Sequence, residues 1–300
     1  MKVFVTGATG VMGRSVVRSL LVAGHDVLGL ARDAEKAAQL DAMDVLPVRG
    51  TLFDRVRLAE AFEGCDVVCN MATRMPVGWS GLRPSAWRAN DRLRSEGSRI
   101  VARAARTAGV CRLIQESVSY LYADAGDTWI TESSPVAVTA ATEPVILAET
   151  AAEEFGDAGH DSVILRFGAI IGDDGLTRWR LRRAKAGRPI GFGSPEGWTH
   201  VVHVDDIGSA VVAGLAAPTG IYNAGAEPIR RADLVLAYGR AVGSGGAAFM
   251  PRLLQRLGGD RFEPLTRSQR VRSDALIAAA AWHPAHPRFA TDWLRDVTYA

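Results

Sequence analysis

Short apolar runs alternate with amphipathic segments along most of the chain, and this alternation predicts strands that are each followed by a helix. The first run, Lys2–Thr6, ends in a glycine turn. In residues 14–23 the apolar positions recur at helical spacing, and Gly24 ends the predicted helix. A second apolar run covers residues 26–30. The order strand, glycine turn, helix and strand is a βαβ unit, which implies a parallel sheet.

The alternation continues to Gly172 and then breaks. The later predicted strands are residues 45–48, 66–70, 112–118, 162–167 and 201–204, and the later predicted helices are residues 34–40, 55–62, 84–108, 150–155 and 207–215. Between residues 172 and 198 the chain is rich in glycine, arginine, proline and tryptophan, which predicts irregular structure. Residues 227–300 predict a helical, irregular cap.

The sequence therefore predicts an α/β fold, a Rossmann doubly wound parallel sheet with a smaller, mostly C-terminal, substrate-binding lobe. A chain of 300 residues is long enough for both parts. We expect residues 1–172 to form the dinucleotide-binding core and residues 201–226 to complete it. Residues 173–200 and 227–300 would then form the lobe.

Three glycines lie in the predicted turn between the first strand and the first helix. Gly7, Gly10 and Gly13 have the spacing GxxGxxG. Glycine at such positions permits a tight turn and lets the backbone approach a pyrophosphate, which the positive end of the following helix stabilises. The βαβ context is the one that this motif requires. The sequence therefore predicts a dinucleotide-binding loop.

Composition narrows the class of partner to a small molecule. The net charge of +2 gives no basic footprint for a nucleic acid. No apolar run reaches the roughly 18 residues of a membrane span, and no targeting segment precedes the first strand. Cys65, Cys69 and Cys111 are too few for a disulfide framework, and no second cluster completes a metal site. We expect a cytoplasmic protein without a metal; its oligomeric state stays open.

Residues 6–13 read TGATGVMG and resemble the start of the extended or atypical branch of the short-chain dehydrogenase/reductase superfamily. Further segments resemble landmarks of that family in the same order: GTLFD at 50–54, NMAT at 70–73, LRFGAIIG at 165–172, HVDD at 203–206 and IYNAG at 221–225. The resemblance implies an NAD(P) cofactor. The implied cofactor-binding residues are Gly7, Thr9, Gly10, Val11, Met12, Gly13, Arg32, Thr51, Leu52, Met71, Ala72, Thr73, Phe167, Gly168 and Ala169.

Charge at the end of the second strand favours NADP(H), although NAD(H) stays open. Members that prefer NAD have an acidic residue there to bind the ribose hydroxyls. Here that place is taken by Ala31, with Arg32 beside it. A guanidinium would attract the 2′-phosphate of NADP(H), and Arg14 could assist. Asp33 could serve the NAD role if the turn shifts by one residue.

The proton-transfer residues of the family are absent. Tyrosines occur at 120, 122, 222, 238 and 299, and none begins a Tyr-x-x-x-Lys pattern. The resemblance places Val118 at the position of the usual hydroxyl residue, Val145 at that of the tyrosine and Glu149 at that of the lysine. We expect Glu149 to be a solvated glutamate at a helix start.

Two functions remain open. The first is an atypical NADPH-dependent ketoreductase, in which Ser117, Ser119, Tyr120 or a phenol of the substrate supplies the proton. Hydride transfer itself needs only a well-placed carbonyl and stabilisation of the developing alkoxide. In this reading the chain is similar to angucyclinone-type polyketide ketoreductases. The second is a catalytically inactive NADP(H)-binding protein that senses redox state through partners.

Aromatic and apolar residues outside the predicted core suit a flat aromatic substrate. The candidate substrate contacts are Arg74, Met75, Trp79, Trp179, Trp198 and His200. The arginines of residues 178–183 predict a solvated face, although they could attract an acidic substituent of a substrate.

Overall fold

The computed structural model describes residues 1–244, 247–251, 253, 255, 259–295 and 297–299, and its centre is a seven-stranded parallel sheet. In chain order the strands are β1 (Lys2–Thr6), β2 (Asp26–Ala31), β3 (Leu46–Arg49), β4 (Val67–Asn70), β5 (Arg112–Val118), β6 (Trp129–Ile130), β7 (Asp161–Phe167), β8 (Ala169–Ile171), β9 (Trp198–Thr199), β10 (Val201–His203), β11 (Gly220–Ala224), β12 (Ile229–Arg230) and β13 (Arg270–Val271).

The helices begin in the glycine turn and continue to the C-terminal part of the chain. They are α1 (Val11–Val22), α2 (Ala34–Asp41), α3 (Arg55–Phe62), α4 (Pro84–Arg92), α5 (Ser98–Thr107), α6 (Glu143–Asp157), α7 (Gly175–Lys185), α8 (Asp206–Gly214), α9 (Arg231–Ala241), α10 (Glu263–Thr266) and α11 (Asp274–Ala280).

The central sheet has the strand order β11-β7-β5-β4-β1-β2-β3, and this confirms the predicted Rossmann fold. Alternate residues of each strand face opposite helical layers. Val3 and Val5 pack with α1 and α8, whereas Phe4 packs with α3, α5 and α6. Successive strands are added on one side of β1 as far as β3 and on its other side from β4 onwards. The glycine turn after β1 therefore lies at the switch point where such sheets bind ligands.

Helix α6 is longer than the segment predicted at residues 150–155. It begins at Glu143 with Pro144 in its first turn, where proline has no amide hydrogen to lose. The helix then extends to Asp157. Glu149 therefore lies in the middle of the helix and is 3% exposed. The expectation of a solvated glutamate at a helix start is wrong.

Helix α7 occupies part of the segment predicted to be irregular. Asp174 caps it by accepting hydrogen bonds from the backbone N–H groups of Leu176 and Thr177. The helix was not predicted because arginines occupy several of the positions at which apolar residues would show a helical period. Arg183 is buried and Arg180 is half-buried, so the prediction of a wholly solvated arginine face is wrong.

A π-helical turn, Leu93–Gly97, joins α4 to α5 within the predicted helix of residues 84–108. Arg94 of this turn is 4% exposed and its Nη2 lies 2.9 Å from Oε2 of Glu116, which is 1% exposed. The turn thus brings Arg94 into contact with Glu116 of β5, whereas other arginines of this helical segment remain exposed.

Small strand pairs connect the remaining elements. β8 pairs with β10, and β9 pairs with β12. β6 pairs with β13, which is distant in sequence, and the guanidinium of Arg270 lies over the Trp129 ring at 4.0 Å from its centroid. The division into a core of residues 1–172 with 201–226 and a lobe of 173–200 with 227–300 stays a prediction.

Candidate functional site

The glycine turn leaves the N-terminal end of α1 open. Gly7 has a φ of 65°, and the amide of Gly10 donates to its carbonyl oxygen at 2.9 Å. A Cβ on Gly13 would stand 2.1 Å from that same oxygen. No side chain caps α1 and no acidic residue stands in its first turn. These features fit a pyrophosphate held by backbone amides at a positive helix end.

Other predicted cofactor residues lie at the same edge of the sheet, because the carboxyl ends of parallel strands meet there. A Cβ on Gly7 would stand 2.6 Å from the carbonyl oxygen of Met71, so the glycine turn packs against the segment after β4. The residues that follow or end β3, β4 and β7 at this edge are Thr51, Leu52, Met71, Ala72, Thr73, Phe167, Gly168 and Ala169.

The end of β2 presents a guanidinium and no free carboxylate. Ala31 is the last residue of β2 and is buried, whereas the Arg32 side chain is 67% exposed. Asp33 caps α2, because its Oδ1 accepts from the Lys36 amide at 2.8 Å. This bond and the neighbouring Arg32 lower the pKa of Asp33. Its carboxylate is therefore already engaged by the helix and by Arg32.

Glu149 forms a buried ion pair with Arg166 of β7. Oε1 of Glu149 accepts from Nε of Arg166 at 2.8 Å, and Oε2 accepts from Nη2 at 2.6 Å. Ser117 also donates to Oε1, at 2.5 Å. Burial lowers the pKa of Arg166, but its bonds to Glu149 outweigh that effect and raise it. Glu149, which is predicted to stand at the family's lysine position, is thus fixed in a structural network.

The three predicted proton donors lie in different surroundings. Ser117 donates to Glu149, as described. The Ser119 hydroxyl is buried without a hydrogen-bond partner among the described residues. Tyr120 lines a cavity, and burial raises its pKa. Val118 and Val145, which are predicted to stand at the usual hydroxyl and tyrosine positions, cannot donate a proton.

A cavity lies between α7, α9 and the loop before β9. Its apolar wall contains Ile190, Phe192, Trp198, Leu234, Val235 and Tyr238, and its polar wall contains Tyr120, Arg180, Thr199, Arg231, Arg267 and Gln269. Of the predicted substrate contacts, only Trp198 lines this cavity. The cavity brings Trp198 together with Tyr120, one of the predicted proton donors.

Trp79 and Trp179 form a separate aromatic cluster. Their ring centroids are 6.1 Å apart in an edge-to-face arrangement, and the Arg183 guanidinium lies within 5.1 Å of both rings. Trp79 remains 51% exposed, and Met75 in the same segment is 52% exposed. Arg74 is exposed as well. These residues form a surface patch outside the walls of the cavity.

His200 is buried away from the cavity. It is 1% exposed, and neither ring nitrogen has a hydrogen-bond partner among the described residues. A Cβ on Gly225 would stand 2.2 Å from its Nε2, so the ring packs directly against that glycine. Burial lowers the pKa of His200 to about 3. The ring is neutral and packed, which does not match the predicted substrate contact.

Acid should therefore destabilise the fold through His200. Its folded-state pKa of about 3 is below the unfolded value of 6.5, so the unfolded chain binds the proton more tightly. The contribution is fully present above pH 6.5 and is lost as the pH falls towards 3. Between pH 7 and about pH 4.5 we expect a loss of roughly 2–3 kcal/mol.

Urea unfolding of the wild type and of His200→Leu at both pH values measures this effect. The variant should lose less stability than the wild type on acidification. His283→Leu, at an exposed histidine, is the control and should retain the wild-type difference. Equal acid sensitivity of the wild type and His200→Leu would contradict the prediction.

Two charged residues of this region were not identified from the sequence. Arg94 and Glu116 form a second buried ion pair beside the Glu149 network, and Arg94 Nε and Glu116 Oε1 have no further partner among the described residues. Burial raises the pKa of Glu116, and Arg94 opposes this. The sequence signal for this ion pair was Glu116, a charged residue inside a predicted buried strand. A buried charge of this kind requires a partner of opposite charge.

Within the described part of the chain, no group of three histidine, cysteine, aspartate or glutamate residues could hold a metal ion. Across the same residues, no helix is both long and apolar enough to cross a membrane.

The Rossmann sheet, the open glycine turn and the guanidinium after β2 define a nucleotide-cofactor-binding protein. Residues 3–225 match the model of the NAD dependent epimerase/dehydratase family, and the chain belongs to that family. The predicted superfamily and nicotinamide cofactor are thereby confirmed.

Several curated relatives are named as reductases or dehydrogenases. A 3-diazoavenalumate denitrifying reductase of Streptomyces sp is 31% identical over 309 residues, which cover 96% of this chain and 97% of the relative. A 4-hydroxy-2-methyl-3-oxo-4-farnesyl-3,4-dihydroquinoline-1-oxide ketoreductase of Stigmatella aurantiaca is 33% identical over 128 residues. That match covers 41% of this chain and 35% of the relative. The predicted class, an NAD(P)-dependent oxidoreductase, is confirmed, and the relatives support a reductase.

Solved structures share the fold at low identity. A human epimerase family protein with NADPH has a TM-score of 0.81 at 20% identity, and the match covers 99% of each chain. The UDP-glucose 4-epimerase of Thermus thermophilus in complex with NAD has a TM-score of 0.76 at 23% identity, over 98% of this chain and 97% of that one.

Proposed function

We propose that this chain is a cytoplasmic NADPH-dependent ketoreductase that reduces a carbonyl of a polycyclic aromatic, angucyclinone-like polyketide. A phenol of the substrate, hydrogen-bonded to the carbonyl, supplies the proton. The observation that carries the proposal is the ion pair between Glu149 and Arg166. It removes the family's lysine position from proton transfer and also engages the hydroxyl of Ser117.

The protein's part in the reaction is then binding and orientation. The nicotinamide, when bound, would be the source of the hydride that reduces the carbonyl. The chain holds the cofactor through its glycine turn and excludes water with apolar walls. A proton donor contributes about 10²–10⁴-fold to such a rate, and a phenol already bonded to the ketone can take that role. Ser119 and Tyr120 are the hydroxyls near the site that remain as alternatives.

Aromatic surfaces support a flat substrate. Phe192 and Trp198 line the cavity, and aromatic rings stack on planar ligands. Trp79 and Trp179 offer a second aromatic surface. The name of the Stigmatella relative describes a ketone on a fused-ring quinoline, which is also a planar aromatic system.

NADP(H) is the proposed cofactor because Arg32 is exposed at the end of β2 while Asp33 is committed to capping α2. We expect Arg32→Ala to weaken NADPH binding by about 10-fold or more, since a charged hydrogen bond to the 2′-phosphate is lost. NADH binding should change little. Titration calorimetry with both cofactors measures this, and Arg57→Ala, at an arginine 73% exposed on α3, is the control. An equal loss for both cofactors would contradict the assignment.

The function is tested by NADPH oxidation with a matched pair of substrates. A tetracyclic ketone with a neighbouring phenol is compared with its methyl ether, which cannot give the proton. We expect turnover of the phenol at a rate about 100-fold or more above that of the ether. Ser117→Ala, Ser119→Ala and Tyr120→Phe should each retain turnover.

Two outcomes would reject the proposal in different ways. If one of the three variants abolishes reduction while NADPH affinity is intact, the protein supplies the proton and the substrate does not. If no ketone is reduced although NADPH binds tightly, the second candidate, a redox-sensing binding protein, takes its place.

A further inference from the structure

The cavity has more positive charge in its wall than the surrounding protein neutralises. Arg267 is paired with Glu263, whose Oε2 lies 2.5 Å from its Nη2. Arg180 and Arg231 differ from it, because no carboxylate among the described residues lies within ion-pair distance of either. Two arginines thus line the cavity without a direct counter-ion among the described residues.

The existing partners of these arginines are neutral oxygens. Arg231 donates to Oγ1 of Thr199 at 3.3 Å and to the carbonyl oxygens of Trp198, Thr266 and Arg267. Arg180 interacts with the hydroxyl of Tyr238. Asp174 is the carboxylate that acts on Arg180 from farther away, and its oxygens already accept from Thr177 and from the start of α7.

Burial makes this charge costly. Arg231 is 6% exposed, and burial lowers its pKa. A partly buried cation without a counter-ion destabilises the fold unless a ligand provides the opposite charge. Two other buried arginines, Arg94 and Arg166, are paired directly with Glu116 and Glu149. Arg180 and Arg231 have no such carboxylate among the described residues, and both line the cavity.

The apolar lining of the cavity suits the body of a ligand. Phe192, Trp198, Leu234 and Val235 provide an apolar and aromatic surface in the same cavity as the arginines. Such a surface accepts a planar ring system, while planar guanidinium groups bind an anionic oxygen at its edge. Tyr120 lies at the same wall as Arg180 and Arg231, whose charges both act on it.

We propose that this cavity holds an anionic oxygen substituent of a planar aromatic substrate, and that Arg180 and Arg231 recognise it. The inference rests on the proposed function for the aromatic body of the substrate. It adds that the substrate is an anion, either a carboxylate or an ionised phenol remote from the reacting ketone.

Binding to the protein saturated with NADP⁺ tests the inference without turnover. The probes are anthraquinone-2-carboxylate and its neutral carboxamide. We expect the carboxylate to bind the wild type more tightly, and Arg180→Gln to weaken it by about 10- to 100-fold while the carboxamide is unaffected. Arg182→Gln, at an exposed arginine of the same helix, is the matched control and should bind both probes as the wild type does.

The source of the negative charge is distinguished by 2-hydroxyanthraquinone. Tighter binding above the pH at which its phenol ionises, and loss of that gain in Arg180→Gln, identifies a phenolate site. Preference for the carboxylate alone identifies a carboxylate site. The inference is overturned if the wild type binds carboxylate and carboxamide equally, or if Arg182→Gln weakens the carboxylate as much as Arg180→Gln. Because no reduction is measured, failure of the ketoreductase assay leaves this result unaffected.

Discussion

Glu149→Ala is expected to destabilise the protein by about 3–5 kcal/mol, since it leaves the buried guanidinium of Arg166 without its carboxylate. The side chains of Glu149 and Arg166 are 4% and 5% exposed, so water cannot replace the lost partner. Two hydrogen bonds from Arg166 and one from Ser117 end on this carboxylate. Urea unfolding followed by circular dichroism measures the free energy.

The control variants distinguish the cost of an unpaired buried charge from the cost of replacing any glutamate in this helix. Glu154→Ala removes an exposed glutamate of the same helix and should change stability by no more than about 0.5 kcal/mol. The double variant Glu149→Met with Arg166→Met removes both charges and should regain most of the loss. If Glu149→Ala costs no more than Glu154→Ala, the ion pair has no structural role.

The same pair bears on attempts to restore the family's chemistry. Glu149→Lys would place a second cation beside Arg166 in a buried site, and we expect that protein to be less stable than Glu149→Ala. Replacing Arg166 by methionine in the Glu149→Lys protein should recover part of the lost stability, because only one buried cation then remains.

Gly13→Ala is expected to lower NADPH affinity by about 100-fold or more, because its Cβ would overlap backbone atoms that cannot move independently. The nearest contacts would be 2.1 Å to the carbonyl oxygen of Gly7 and 2.6 Å to Cα of Ala8. The glycine turn must open to admit the methyl group, and its amides then no longer converge on one phosphate. Fluorescence titration with NADPH measures the affinity.

Two further glycines distinguish loss of binding from loss of folding. Gly10→Ala has an ordinary φ of −75° and a Cβ 3.1 Å from the Gly7 oxygen, so it should fold while weakening NADPH binding at the exposed helix end. Gly81→Ala, whose Cβ would meet nothing closer than 4.0 Å, should change neither. Unaltered NADPH affinity in Gly13→Ala would contradict the role of this turn.

The sequence was sufficient for the first half of the fold because its signals there are local. The apolar run Lys2–Thr6, the glycine turn and the periodic helix after it specify a βαβ unit within a short stretch. Helix α7 was missed for an equally local reason, since arginines occupy positions where a periodic pattern would show apolar residues. Asp174, a residue type that often caps helices, was the sequence signal that could have predicted the start of this helix.

The site was only partly predictable because its contacts join distant segments. Nothing in the spacing of Glu149 and Arg166 reveals that α6 lies over β7 with these side chains in contact. The same holds for Arg94 and Glu116, and for the cavity that brings Tyr120 beside Arg180 and Arg231. Charges within apolar strands, such as Arg166 and Glu116, signal a buried partner without identifying it.

The pairing of β6 with β13 has a consequence for how the protein is made. Trp129 lies opposite Arg270, so this small sheet joins parts of the chain that leave the ribosome far apart in time. The central strands from β1 to β5 can pair while synthesis proceeds, but β6 has to wait. Until Arg270 and Val271 emerge, Ile130, which is 1% exposed in the finished protein, lacks part of the packing that buries it.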